Sequence, residues 1–192
     1  MTADPRIEAV EFDLPGIMRE KREIVESILR GSGVRRDNLH LCEGNALDSD
    51  ALAGAVSGLE GPVAIAKEGL LRYLSRAEQK TLAQNIYRIL SSKGGLWVTP
   101  DIITRTKVIY DDKARERRQM MSKMTGTDIE RNMFEDTTEA RKLFEGVGFE
   151  VAELEIEQMK DVLVSPEILK LEPERVTERL RGRVAFVMKV RR

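Results

Sequence analysis

The stretch that decides the fold is residues 61–101, GPVAIAKEGLLRYLSRAEQKTLAQNIYRILSSKGGLWVTPD. It contains two short apolar runs, residues 63–66 and 96–98, each of the length of a buried strand. Between them, apolar side chains recur at helical spacing and form one stripe, namely Leu82, Ile86, Ile89 and Leu90. The stretch therefore predicts a buried strand, an amphipathic helix and a second buried strand, which together make a parallel βαβ unit.

Local signals mark both ends of the predicted helix. Ser75 is followed three residues later by Glu78, the spacing of a capping box at a helix start. Gly94 and Gly95 follow the last apolar position and indicate where the helix ends. In open parallel sheets, ligands bind outside the carboxyl ends of the strands. We therefore expect a binding site near Lys67 and Glu68, after the first strand, and near Asp101, after the second.

The composition is that of one α/β domain spanning residues 1–192, with 41% hydrophobic and 34% charged residues. The formal net charge of -1 gives no reason to expect a nucleic-acid partner. Cys42 and His40 are the single residues of their types, which excludes a disulfide within the chain and most metal sites. No apolar run reaches the length of a membrane span and no signal peptide is recognised, so we expect no membrane contact and a cytoplasmic location.

Patterns on either side of the central unit extend the same architecture. Before it, strands are predicted at residues 7–12 and 39–42, a helix runs from Pro15 to the glycines at 31 and 33, and a short helix covers 50–59. After it, residues 102–136 predict a helical insert over the site. The rest of the chain predicts two helices and two strands. These are a helix capped by Thr137 or Thr138, a strand at 149–156, a helix at 165–180 broken by Pro173 and an apolar strand at 183–190. The order predicts a doubly wound, mostly parallel sheet with an antiparallel closing strand.

Polar residues also follow the two strands that precede the central unit. A carboxylate such as Asp13 can accept hydrogen bonds from the vicinal hydroxyls of a ribose. Asn45 and the backbone N–H of Ala46 can hydrogen-bond the edge of a base. The alternatives are that Asp13 caps the next helix, that Asn45 makes a turn and that Glu68 is solvated.

Several short segments of the sequence resemble those of one family. VEFDLPGIMREKREIV, EGNALD, EGLLRYLS, GGLWVTPD and EARKLFEGVGFEV resemble successive segments of the leucine carboxyl methyltransferase and polyketide O-methyltransferase group. These enzymes are class I methyltransferases that use S-adenosylmethionine, and the resemblance runs from about residue 9 to residue 190. It implies a Rossmann-like methyltransferase fold, S-adenosylmethionine as cofactor and O- or carboxyl-methylation of a small molecule.

The resemblance also implies roles for individual residues. Asp13, with Leu14 beside it, would hold the cofactor ribose, and residues 45–47 would flank the adenine. The cofactor-binding positions are Asp13, Leu14, Asn45, Ala46, Leu47, Lys67, Glu68 and Gly69. Tyr73 and Asp101 are assigned to the substrate, although packing is the competing role for Tyr73. No residue is assigned as a catalytic base.

One feature of the family is missing from the sequence. Its fold begins with a strand that ends in a glycine-rich loop, and no GxGxG-like segment occurs in these 192 residues. That strand belongs between the strands predicted at residues 7–12 and 63–66, so its absence predicts an N-terminally incomplete methyltransferase domain. Unpaired backbone groups in the middle of a sheet are costly, so we expect a homo-oligomer or a partner chain that supplies the strand. The alternative function is a non-catalytic methyltransferase-like binding subunit, or one half of a split enzyme.

Overall fold

A computed structural model describes residue 4 and residues 6–107, 112–162, 166 and 168–191 of the chain. These residues divide into two compact units, Met1–Gly61 and Pro62–Arg192. Each unit alternates strands and helices, so the α/β class predicted from the sequence is confirmed. The assignment of all 192 residues to a single domain stays a prediction.

The first unit contains a two-stranded parallel sheet and two helices. Its elements are β1 (Ala9–Asp13), α1 (Pro15–Ser32), β2 (Leu39–Glu43) and α2 (Ser49–Ala55). Pro15 opens α1, a position at which the helix does not need a backbone N–H. Gly33 ends the helix in the left-handed conformation with φ 65°. In the parallel register Asp13 lies opposite Glu43, so the polar residues after β1 and β2 share one edge of this sheet.

Several of the large apolar side chains of α1 lie at the surface. Met18 is buried, whereas Ile17, Ile24 and Ile28 are 50%, 60% and 62% exposed. The helix itself was predicted from Pro15 and the glycines at 31 and 33, but these end signals do not predict which of its faces is covered.

The second unit contains a four-stranded sheet in the order β3-β4-β6-β5. Its strands are β3 (Val63–Ala66), β4 (Gly95–Thr99), β5 (Phe149–Glu155) and β6 (Val184–Val190), and its helices are α3 (Arg76–Lys93), α4 (Asp112–Thr125), α5 (Ile129–Asn132), α6 (Thr137–Val147) and α7 (Pro173–Leu180). β3 pairs parallel to β4, whereas β6 runs antiparallel to both of its neighbours. Three strands therefore share one direction and β6 is the antiparallel strand that the sequence predicted.

The central βαβ unit has the predicted elements. The side chain of Ser75 accepts a hydrogen bond from the backbone N–H of Glu78, and the Glu78 carboxylate accepts one from the N–H of Ser75, so the capping box is present. β3 departs from the expectation of a strand buried on both faces, because Ala64 and Ala66 are exposed. Among the described residues β3 pairs only with β4, so it is an edge strand, and its small alanines leave one face uncovered.

The core of the second unit is built around Trp97 on β4, which is fully buried. Its ring makes edge contacts with Phe144 of α6 and Phe149 of β5, at centroid distances of 5.2 and 5.7 Å. Phe186 of β6 packs against Phe144 at 6.1 Å. Such aromatic pairs hold their helices and strands in a fixed geometry, so the carboxyl end of β4 lies on a rigid support.

The chain after β4 contains the helices α4 and α5, while the placement of residues 102–136 as an insert over the site stays a prediction. Thr104 forms an isolated bridge with Phe134, and this bridge brackets α4 and α5. The predicted caps of α6, Thr137 and Thr138, are wrong: the cap is Asp136, whose carboxylate accepts a hydrogen bond from the N–H of Glu139. Within the predicted helix at 165–180, α7 begins at Pro173, while residues 163–165 and 167 lie outside the described part of the chain.

Candidate functional site

Asp13 ends β1 in the first unit and presents a half-buried carboxylate. Its Oδ1 accepts a hydrogen bond from the N–H of Leu14 at 2.8 Å. Leu14 is itself the N-cap residue of α1 and that helix has no side-chain cap, so the helix-cap role considered for Asp13 is absent. No described residue donates a hydrogen bond to Oδ2, so that oxygen can accept one from a ligand hydroxyl.

The neighbouring strand end carries Asn45. The N–H of Gly44 donates to the carbonyl of Asp13 at 2.9 Å, which joins the ends of β1 and β2. The side-chain oxygen of Asn45 accepts from the N–H of Leu47 at 3.0 Å, so the turn role considered for Asn45 is observed. This turn holds residues 45–47 beside the edge where Asp13 lies, and leaves the amide NH₂ of Asn45 as a donor.

In the second unit the strand ends of β3 and β4 are joined by an ion pair. Lys67 Nζ lies 2.7 Å from Asp101 Oδ2, and both side chains are largely buried, with 11% and 3% of their area exposed. Asp101 also receives hydrogen bonds from the backbone N–H groups of Gly69 and Leu71, the latter at 3.4 Å. The loop after β3 therefore wraps around the carboxylate that follows β4.

Burial and charge together set the protonation of this pair. Burial lowers the pKa of Lys67 from 10.5 to about 8, although the Asp101 carboxylate opposes that shift. Burial acts to raise the pKa of Asp101, but the Lys67 ammonium, its hydrogen bond and the N–H of Gly69 outweigh it and hold the pKa below its usual value. Asp101 is therefore ionised near neutral pH, while Lys67 is an amine shifted towards neutrality.

The remaining predicted residues of this site lie on the same loop. Glu68 is exposed, which agrees with the alternative that this side chain is solvated. Gly69 has φ 79°, a conformation that favours glycine. Tyr73 is half-buried in the turn Leu71–Tyr73. Its substrate role stays a prediction, as does that of Asp101, whose buried oxygens already accept hydrogen bonds from protein donors.

Three residues that hold this loop in place were not predicted from the sequence. The side-chain NH₂ of Gln79, on α3, donates to the carbonyls of Leu71 and Leu74 at 2.9 and 3.1 Å, and to that of Asn132 at 3.1 Å. Asn132 in turn donates to the carbonyl of Arg72 at 3.2 Å. The Arg72 guanidinium lies 3.8 Å from Asp101. A polar residue on the buried face of α3 was the signal available, although Asn85 shares that face, and the partner Asn132 lies far away in sequence.

Comparisons with known proteins identify the fold. No protein-family model and no curated protein matches the sequence. The structure of an O-methyltransferase family protein from Burkholderia thailandensis is 14% identical, with a TM-score of 0.58, and the match covers 97% of this chain and 44% of that chain. The structure of PigF with SAH is 15% identical (TM-score 0.54, 99% and 50% covered), and the LepI complex with SAM is 10% identical (TM-score 0.55, 96% and 36% covered).

These likenesses show that the chain has the Rossmann-like fold of methyltransferase structures, as the sequence predicted. The chain spans half or less of the length of each of these structures. Within the described part of the chain no group of histidine, cysteine and acidic residues could hold a metal ion, and no helix there could cross a membrane.

Proposed function

We propose that this chain is part of an S-adenosylmethionine-dependent methyltransferase that methylates an oxygen or a carboxylate of a small molecule. The observation that carries the proposal is the Asp13 carboxylate, which ends a parallel strand and keeps one oxygen without a partner among the described residues. Its support is the fold shared with structures of an O-methyltransferase family protein, of PigF with SAH and of LepI with SAM.

In the proposed cofactor site, different residues bind the ribose and the adenine. Asp13 accepts hydrogen bonds from the ribose hydroxyls, with Leu14 packed beside the sugar. The turn at residues 45–47 holds the side-chain NH₂ of Asn45, which donates to the edge of the adenine. In the second unit, residues 67–69 line the floor of the proposed methyl-transfer site, and the φ of 79° at Gly69 favours a residue without a side chain.

S-adenosylmethionine, if held at these positions, would supply an electrophilic methyl group for the acceptor oxygen. The protein's part is to hold the acceptor in line, because proximity and orientation supply much of the rate. A carboxylate acceptor needs no base. A hydroxyl acceptor would need a base, and no residue is assigned to that role.

We further propose that a strand from a second copy or from another chain adds to the sheet beside β3. The support is that β3 pairs only with β4 among the described residues. The single free thiol, Cys42, suits a reducing compartment, so we propose a cytoplasmic location.

The test is a calorimetric titration of the purified chain with S-adenosylhomocysteine, repeated with Asp13→Ala. We expect saturable binding that Asp13→Ala abolishes, because the ribose loses its acceptor. Asp37→Ala is the control, since Asp37 is a 79% exposed carboxylate of the same unit. Unchanged affinity in a folded Asp13→Ala variant would remove Asp13 from the site. No binding by the wild-type chain would favour the alternative of a binding subunit or half of a split enzyme.

A further inference from the structure

The second unit contains a cavity of about 310 Å³ that is rich in arginine. It lies among the helices that follow β4, and its lining is Arg105, Arg118, Asp128, Glu130, Arg131 and Met133. None of these residues belongs to the cofactor or substrate positions proposed above. The volume is at the lower end of the range of small-molecule sites.

Two of the arginines are held in place by the protein. Arg118 on α4 has only 15% of its side chain exposed, and its Nε lies 3.3 Å from Glu130 Oε1. Arg105 is fixed through its backbone, whose N–H donates to the carbonyl of Phe134 at 2.9 Å, and its Nη2 donates to the carbonyl of Glu130 at 3.2 Å. These contacts converge on one short segment, so the guanidinium groups are positioned before any ligand arrives.

The carboxylates of the cavity are already engaged. Asp128 accepts a hydrogen bond from the backbone N–H of Arg131 at 3.0 Å, and Glu130 pairs with Arg118. The guanidinium of Arg131 forms no ion pair with any carboxylate in the described part of the chain. Arg105 also lies 3.8 Å from Glu135, so Arg105 and Arg118 both have carboxylate partners. Arg131 is the lining arginine whose guanidinium has no such partner among the described residues, so it can pair with an anion.

We propose that this cavity binds a small molecule through an oxyanion, either a phosphate or a carboxylate group. The planar guanidinium donates paired hydrogen bonds that match the oxygens of both groups, and such charge-assisted bonds are the stronger kind. The proposal does not rest on methyl transfer, because the cavity residues are separate from the positions assigned to the cofactor.

The test uses inorganic phosphate and succinate as separate probes, titrated into the full chain at constant low ionic strength and followed by the NMR signals of the arginine Nε–H groups. Arg131→Gln is the informative variant, since the exposed side chain of Arg131 holds no ion pair whose loss would disturb the fold. We expect it to weaken binding about tenfold or more, the value of one lost charge-assisted hydrogen bond.

Arg117→Gln is the matched control, because Arg117 is an exposed residue of α4 outside the cavity lining and its loss changes the net charge equally. Weakening of less than about twofold in this control supports a site, since a general charge effect on an exposed residue is small. Equal weakening by both variants, or no saturable binding of either probe to the wild-type chain, would overturn the proposal. Tighter binding of phosphate than of succinate assigns the ligand as a phosphate ester, and the reverse order assigns it as a carboxylate.

Discussion

Asp101→Asn is the substitution that best tests the reasoning about the buried pair. The change keeps the size of the side chain and removes the charge that lies 2.7 Å from Lys67 Nζ. Burial lowers the pKa of Lys67 and the Asp101 carboxylate opposes that effect. Without the carboxylate, the pKa of Lys67 therefore falls further below about 8. The two N–H groups that now donate to the carboxylate, those of Gly69 and Leu71, also lose a charged acceptor.

The expected loss of stability depends on pH in a definite direction. Removing one partner of a buried ion pair costs about 3 kcal/mol or more, so we expect that loss at about pH 6, where Lys67 is protonated in both states. The folded-state pKa of Lys67 is below its ordinary 10.5, so the unfolded chain binds more protons and stability rises with pH above about 8. In the variant the lower pKa of Lys67 makes this rise in the free energy of unfolding larger than in the wild type. The destabilisation caused by Asp101→Asn at about pH 9 is therefore smaller than at about pH 6, by about 1.4 kcal/mol for each unit by which the pKa of Lys67 has fallen.

The assay is urea unfolding of both proteins at several pH values from about 6 to 9, a range in which Asp101 itself stays ionised. Asp136→Asn is the control, because asparagine caps α6 as well as aspartate does and no lysine among the described residues pairs with Asp136. Its effect should be small at every pH. A loss in Asp101→Asn that is constant with pH would refute the argument, since it would mean that the charge of Lys67 does not depend on Asp101.

Two further substitutions test the supports around the site. Gln79→Leu removes a hydrogen-bond donor from three buried carbonyls, of which that of Leu71 keeps the N–H of Leu74. We therefore expect a loss of about 2 to 4 kcal/mol in urea unfolding, whereas Gln84→Leu on the exposed face of the same helix should change stability by less than about 0.5 kcal/mol. Gly95→Ala places a Cβ 2.1 Å from the carbonyl oxygen of Val63 and should cost more than about 3 kcal/mol, because a clash adds to backbone strain. Gly94→Ala has open space around it and should cost only backbone strain, about 1 to 3 kcal/mol. Similar losses from both glycine variants would argue against close packing of β3 on β4.

Elements with local signals could be predicted from the sequence. The start of α3 follows from Ser75 and Glu78, and the start of α1 from Pro15, because caps act within one turn of the chain. The exposure of Ala64 and Ala66 could not be predicted, since it depends on which strands pair with β3. A short apolar run has the same pattern in a central strand as in an edge strand.

The candidate site was predictable to a similar extent. Strand ends identified Lys67 and Asp101 because the carboxyl ends of adjacent parallel strands meet at one edge of a sheet. The contact between Gln79 and Asn132 joins residues far apart in sequence, as does the cavity that Arg105 and Arg131 share. No spacing rule connects such positions, so they become visible only in three dimensions.

The two aspartates after strands have different surroundings, and this difference decides what each variant reports. Asp13 is half-buried and has an oxygen without a partner in the described part of the chain, so a ligand can reach it. Asp101 is 4% exposed, and its oxygens accept hydrogen bonds from Lys67 and from backbone N–H groups of the loop that carries Glu68 and Gly69. Loss of cofactor affinity in Asp13→Ala would therefore be direct, whereas in Asp101→Asn it would act through the loop. The two can be separated, because only the second loss should be accompanied by a pH-dependent fall in stability.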